Sequence, residues 1–218
     1  MFRRRRVAIL VLLIVGVAVS SSSSQATTSS APRRNTVPAV GALPWPAPTK
    51  PMSRTLAAGL IPQDQESLIH HVHAHLDVFL DGVRQRVPAG LGINTKDPAV
   101  HSFPNTAGAT AYGGIRVPCK KPCISPLHTH DATGVVHTES PVDLDNTLGE
   151  LFVEWDVALN RKCVGGYCTP EWKIAIYENG TKFAGDPTTI PLTDRKEIAI
   201  VIGKAPPKIA SSADFSAA

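Results

Sequence analysis

Residues 71–82 read HVHAHLDVFLDG, and this alternation restricts the chain more than any other feature. Side chains two apart share one face of a strand. Val72, Ala74, Leu76, Val78 and Leu80 therefore point one way, and His71, His73, His75, Asp77 and Phe79 point the other. Asp81-Gly82 is a two-residue hairpin turn. It sets Leu80 against Val83, Val78 against Gln85 and Leu76 against Val87. On the other face it sets Asp77 against Arg86 as an exposed ion pair. One face is mainly core, and the other carries three imidazoles at strand spacing.

A second histidine pattern follows at 127–139, LHTHDATGVVHTE. Asp131-Ala132-Thr133-Gly134 reads as a hairpin loop between two short runs. That loop sets His130 against Val135 and His128 against His137, so His128, His130 and His137 converge on one face. A one-residue change in loop length would undo the convergence. A lone His is ordinarily a surface or hydrogen-bonded core residue. Six of the eight, however, fall in two same-face patterns, H-x-H-x-H and H-x-H-x6-H. Neutral imidazole is the commonest protein metal ligand, and three of them leave an open position. The candidate ligands are His128, His130 and His137, then His73, His75 and His71. Glu139 is a ligand, a general base or an ordinary strand residue. Asp131 is assigned to the turn, where Asp bonds its own backbone. Two Met and oxidised Cys disfavour Cu(I), so copper(II) or zinc fits the donor set. No HExxH helix, phosphate-binding Gly-rich loop or GxSxG elbow is present.

The chain opens with MFRRRR and thirteen apolar residues, Val7 to Val19, before a small-residue site near Ser24-Gln25-Ala26. Residues 1–26 read as a signal peptide or an N-terminal anchor, the run being short for a membrane span. Arg3 to Arg6 supply four positive charges and residues 1–26 hold no acid, so the formal charge of +4 falls to zero without them. The basic balance therefore belongs to export and argues for no nucleic-acid partner. Cys119, Cys123, Cys163 and Cys168 in an exported chain suggest disulfides, most simply 119–123 and 163–168. A zinc site of four thiolates is the competing reading, and C-x3-C and C-x4-C are loose for it.

Residues 27–61, rich in Pro, Ser and Thr, read as a tether to the membrane side. Residues 62–204 form the His-rich domain, and 205–218 a frayed tail. Within the domain, 88–93 cross over it, and 94–114 have no assigned element. Thr147 and Glu150 form a capping box. Leu148, Leu151, Phe152 and Trp155 make one apolar stripe of a helix ending near Leu159. Gly149 is a small local penalty in it, and Trp155 and Trp172 are core residues. Residues 172–177 form a strand before the turn Asn179-Gly180, and 197–202, EIAIVI, a buried strand. The fold class is α+β, a mostly antiparallel or mixed sheet packed on one main helix in a β-grasp-like arrangement.

The H-x-H-x-H-L strand with its D-G turn, LHTHD-x-x-G-V-V-H-x-E, L-G-E-L-F-x-E-W and the strand ending in N-G resemble motifs of uncharacterised exported proteins of bacteria and archaea. The resemblance covers roughly residues 60–204 and implies an exported domain, with no activity to carry over. The H-x-H pattern is also similar to that of cupins. Gly134 and Val135 stand where a cupin Glu belongs, and no His follows His137, so a normal cupin is rejected. Three functions fit the sequence. The first is an exported metal-binding domain for buffering, delivery or sensing. The second is a metal-dependent enzyme with Glu139 as base. The third is a structural or interaction domain.

Overall fold

The computed structural model describes residues 45–215. The signal or anchor reading of 1–26, the tether up to residue 44 and the last three residues lie outside the described residues. In chain order the elements are α1 (Pro51–Ala57), β1 (His70–Leu80), β2 (Val83–Gln85), β3 (His101–Pro104), β4 (Thr110–Gly113), β5 (Leu127–His128) and β6 (Val135–Ser140). There follow α2 (Leu148–Trp155), β7 (Cys163–Val164), β8 (Tyr167–Cys168), β9 (Ile174–Glu178), β10 (Thr181–Phe183), a 3-10 turn (Pro187–Thr189) and β11 (Glu197–Ile202). The class is mixed α+β and sheet-rich, with two short helices rather than one.

Seven strands form the main sheet, in the order β10-β9-β11-β1-β6-β5, with β2 also paired to β1. β1 and β11 pair in parallel at its centre, and their neighbours are antiparallel. All six residues of β11 are buried, as a central strand covered on both faces requires. The Asp81-Gly82 turn closes β1 onto β2 with Leu80 opposite Val83 and Val78 opposite Gln85. The ladder stops there, so two expectations are corrected. Leu76 and Val87 do not pair. Asp77 is buried and bonds Arg84, not Arg86. Arg84 lies opposite Phe79, and its long side chain reaches diagonally to the same-face carboxylate.

The capping box is present. Glu150 N–H donates to Thr147 Oγ1 at 3.2 Å, and Thr147 N–H donates to Glu150 Oε2 at 2.7 Å. α2 ends at Trp155, short of Leu159, because Asp156 turns left-handed at φ 61°. Its stripe, Leu148, Leu151, Phe152 and Trp155, packs on Ala74, Leu76, Val78, Val136, Ile198 and Ile200 of the sheet. On the opposite sheet face, Phe79, Ala199 and Val201 meet Ile209. Within the expected frayed tail, Ile209 and the buried Phe215, which lies under Arg195, are packed, while most of residues 205–214 are exposed or half-buried.

Part of the segment read as a tether is ordered against the domain. Trp45 is buried against Trp155 and Tyr167, and the Trp155 Nε1–H donates to the Trp45 carbonyl at 3.0 Å. α1 begins at Pro51, where a missing N–H costs nothing, and Arg54 donates to the Val153 carbonyl in the last turn of α2 at 2.9 Å. The disulfides are Cys119–Cys123 and Cys163–Cys168, which overturns the four-thiolate zinc reading. The segment without an assigned element contains the β3–β4 hairpin, with His101 exposed at its start. That hairpin and residues 88–93 lie over β5 and the loop after it. Tyr112 N–H donates to the His130 carbonyl, and Thr129 N–H to the Leu91 carbonyl, both at 3.0 Å. Among the described residues no helix is long and apolar enough to cross a membrane.

Candidate metal centre

Three neighbouring strands build the site. β6 lies between β1 and β5. The register sets His73 opposite His137 and His71 opposite Glu139 on one side, and His128 opposite His137 on the other. Directly opposed residues share a face, so these side chains gather on the sheet face away from α2. The His128–His137 pairing is the one expected. The ladder ends there, and His130 is held by the loop instead of by pairing with Val135. Asp131 secures that loop, its Oδ1 accepting from Thr133 N–H at 2.9 Å.

Main-chain carbonyls aim two of the imidazoles. His128 Nδ1–H donates to the Ser125 carbonyl at 2.9 Å, and His130 Nδ1–H to the Tyr112 carbonyl at 2.6 Å. A carbonyl only accepts, so each Nδ1 holds a proton and, in the neutral ring, Nε2 presents a lone pair. The two Nε2 atoms are 3.4 Å apart. Lone pairs at that distance repel unless a proton or a metal cation is shared between them. Glu139 Oε1 lies 3.4 Å from His137 Nδ1, 3.8 Å from His130 Nε2 and 3.9 Å from His128 Nε2. His137 Nδ1 and Glu139 Oε2 are buried without a hydrogen-bond partner. One ligand atom from each of these four residues lies within 4.8 Å of the others. Ligand atoms around a tetrahedral zinc are separated by about 3.3 Å at ordinary bond lengths, so small side-chain adjustments suffice.

A second group, His71, His73 and His137, meets the same spacing. Its Nε2 atoms of His71 and His73 are 2.9 Å apart, and His71 Nε2 is 3.3 Å from Glu139 Oε1. His75 shares the strand face but is separated from these five imidazoles. It groups with Asp77 and Glu197 instead. His75 Nδ1 is 2.8 Å from Glu197 Oε2, and Nε2 is 3.1 Å from the Thr133 carbonyl. Arg84 lies on both Asp77 and His75, so this group carries its own compensating cation.

Charge follows from burial and neighbours. Burial, then the His130 charge, hold His128 well below the ordinary imidazole range. Burial also lowers His137, with a smaller contribution from His130, against the pull of the Glu139 carboxylate. Burial opposes charge on His130 too, but the nearby Glu139 carboxylate and the Tyr112 carbonyl outweigh it and raise that imidazole. Burial lowers His73 to about 4, helped by His137 and His71. Burial would raise Glu139, yet the attraction of the neighbouring His130 and His137 imidazoles prevails and holds it well below the usual carboxylate range. The group thus offers an anionic carboxylate and neutral imidazoles at His128 and His137, the forms that bind metal, while His130 gives up its proton as a cation enters. Burial opposes charge on His75, but its Glu197 partner dominates and raises it.

Several supporting residues lay outside the sequence reading. Glu66 accepts from Gly114 N–H at 3.0 Å, and burial followed by Glu139 repulsion raises its carboxyl. A Cβ at Gly113 would stand 2.7 Å from His130 Nδ1, so only glycine lets the β3–β4 hairpin approach that ring. A Cβ at Gly92 would stand 2.4 Å from the Leu127 carbonyl. The Ser125 and Tyr112 carbonyls carry no side-chain signature. The Gly113-Gly114 pair was the one available hint of close backbone approach.

Fold and site together define a sheet-rich α+β domain with grouped histidines and a buried carboxylate able to hold a metal ion. The chain matches no protein-family model, no curated protein and no solved structure.

Proposed function

We propose that this is an exported metal-binding domain that holds one copper(II) or zinc ion at His128, His130, His137 and Glu139, for extracytoplasmic buffering, delivery or sensing. The observation that carries this reading is the pair of Nδ1-anchored imidazoles facing each other at 3.4 Å beside the unpartnered His137 Nδ1. A purely structural role would leave Glu139 Oε2 buried and unpaired, at about 1–3 kcal/mol, and His137 Nδ1 with only a 3.4 Å contact to Glu139 Oε1. A bound cation supplies the missing partner to both. Two disulfides suit an oxidising compartment outside the cytoplasm. A signal or anchor at residues 1–26 agrees with that location. The parallel pairing of β1 with β11 at the sheet centre, and α2 on one face, support a β-grasp-like scaffold.

Binding is favoured over catalysis by the burial of the donors. His128 is fully buried, and His137 and Glu139 are each 5% exposed. Two described surface clefts, about 170 and 780 Å³, are lined by other residues. Elemental analysis of the exported full-length protein tests the reading. We expect copper or zinc at one equivalent or more. We expect the buried group's share to be lost in His128→Ala/His130→Ala and weakened in Glu139→Gln, with far-ultraviolet dichroism confirming that both variants fold. Protein that takes up neither ion after incubation with both would refute it.

A further inference from the structure

β6 is flanked on both sides by an H-x-H pair, and the two flanks are arranged alike around His137. On the β5 side, His128 stacks on the His137 ring at 5.4 Å and 9°, and His130 meets it edge-on at 4.3 Å and 75°. On the β1 side, His71 stacks on the same ring at 6.0 Å and 26°, and His73 meets it edge-on at 4.4 Å and 78°. Each flank thus supplies one stacked and one edge-on imidazole. Glu139 also faces both, its Oε1 lying 3.3 Å from His71 Nε2 and 3.8 Å from His130 Nε2.

We propose that His71 and His73, with His137, form a second cation position beside the first, so that the domain takes up two divalent transition-metal ions. The proposal rests on the reading of the buried group as a metal site and adds an outer partner to it. Five imidazoles and a carboxylate exceed what one four-coordinate ion uses, and the donors divide into two groups that share His137. An imidazole has two ring nitrogens, and a carboxylate has two oxygens. Glu139 therefore has a donor atom for each ion, and His137 would have one once the second ion displaces its remaining ring proton to solvent, leaving an imidazolate between the two positions. The Nε2 atoms of His71 and His73, 2.9 Å apart, can now share only a proton, and a cation replaces it.

The two positions differ in exposure. The His71 side chain is 34% exposed, whereas that of His128 is 0% exposed. The outer ion is the one that exchanges with solvent, and the inner ion is the one retained. This gives the domain a loading position next to a storage position, which fits delivery better than a single buried site.

The test is a Cu(II) titration of the metal-free full-length protein against a coloured competing chelator, with electron paramagnetic resonance at each step. Zn(II) is titrated in parallel. We expect two Cu(II) per chain, with loss of the isolated-copper signal as the second ion enters and couples to the first. His71→Ala/His73→Ala should retain one Cu(II) with an uncoupled signal that is slow to exchange. His128→Ala/His130→Ala should also retain one, in rapid exchange. His71→Gln/His73→Gln is a second outer variant that preserves side-chain bulk. A wild type saturating at one ion, or outer variants that still bind two, would overturn this proposal and leave the inner site standing. One ion in the inner variant but none in the outer variants would overturn the inner site instead.

Discussion

Glu154 is 1% exposed on α2, beside the hydroxyls of Ser125 and Thr55, and Ser125 is the residue whose carbonyl aims His128. Burial pushes its carboxyl up to about 8 from an ordinary 4.5. The folded chain therefore keeps a proton that the unfolded chain releases above pH 4.5. The stability contributed is full below pH 4.5 and is lost as pH rises through 8, with a slope of at most about 1.4 kcal/mol per pH unit. Glu154→Gln keeps the neutral shape and removes the titration. Urea unfolding of metal-free protein at pH 5, 6.5 and 8 should give a flatter profile for the variant. An identical slope in both proteins would show that Glu154 titrates normally.

At the scale of the element, α2 sets two local rules against each other. Thr147→Ala removes the N-cap acceptor and should cost about 1 kcal/mol. Gly149→Ala should gain about 1 kcal/mol on helix propensity alone. The Cβ, however, would stand 2.6 Å from the Thr188 carbonyl oxygen, a backbone atom that cannot swing aside. We expect a net loss of about 1–3 kcal/mol from overpacking. Chemical denaturation of both variants checks the pair, and a more stable Gly149→Ala protein would contradict the close approach. The glycine is thus a packing requirement of the 3-10 turn against α2, not the mere penalty that helix propensity suggests.

For the molecule as a whole, the folded unit reaches back at least to Trp45. Its ring stands edge-on to Trp155 at 5.5 Å and closes one end of the main core. A Cβ at Gly165 would sit 2.4 Å from that ring, so the β7–β8 turn and Trp45 fit together. Trp45→Ala should destabilise by about 3–5 kcal/mol. A change within experimental error would return residues 45–61 to the role of tether. Metal binding also belongs to this scale, because the donors come from β1, the β5 segment and β6, which meet only in the folded state. Free ion at a hundredfold excess over Kd adds about 2.7 kcal/mol, roughly 5–10 °C in Tm for a domain of this size. A chelator should reverse the gain, and an unchanged Tm would argue against the site.

The periodicities were legible because they depend on neighbours in sequence. The alternation at 71–80 put His71 and His73 on one face, and the Asp131-Gly134 loop put His128 opposite His137. The capping box and the apolar stripe likewise marked the start of α2, and EIAIVI its buried strand. The limits of local reasoning show at Glu139, which sequence left between ligand and ordinary strand residue. Its burial among imidazoles is decided by β6 pairing with β1 on one side and β5 on the other. The same pairing joined the two histidine patterns, while the parallel partner β11 drew His75 away to Glu197. The aim of His128 and His130 came from the carbonyls of Ser125 and Tyr112, groups that every residue possesses. Sequence determined which faces carry imidazoles, because side-chain direction along a strand is local. Tertiary structure decided which faces meet, because strand order and main-chain hydrogen bonds join residues far apart in the chain.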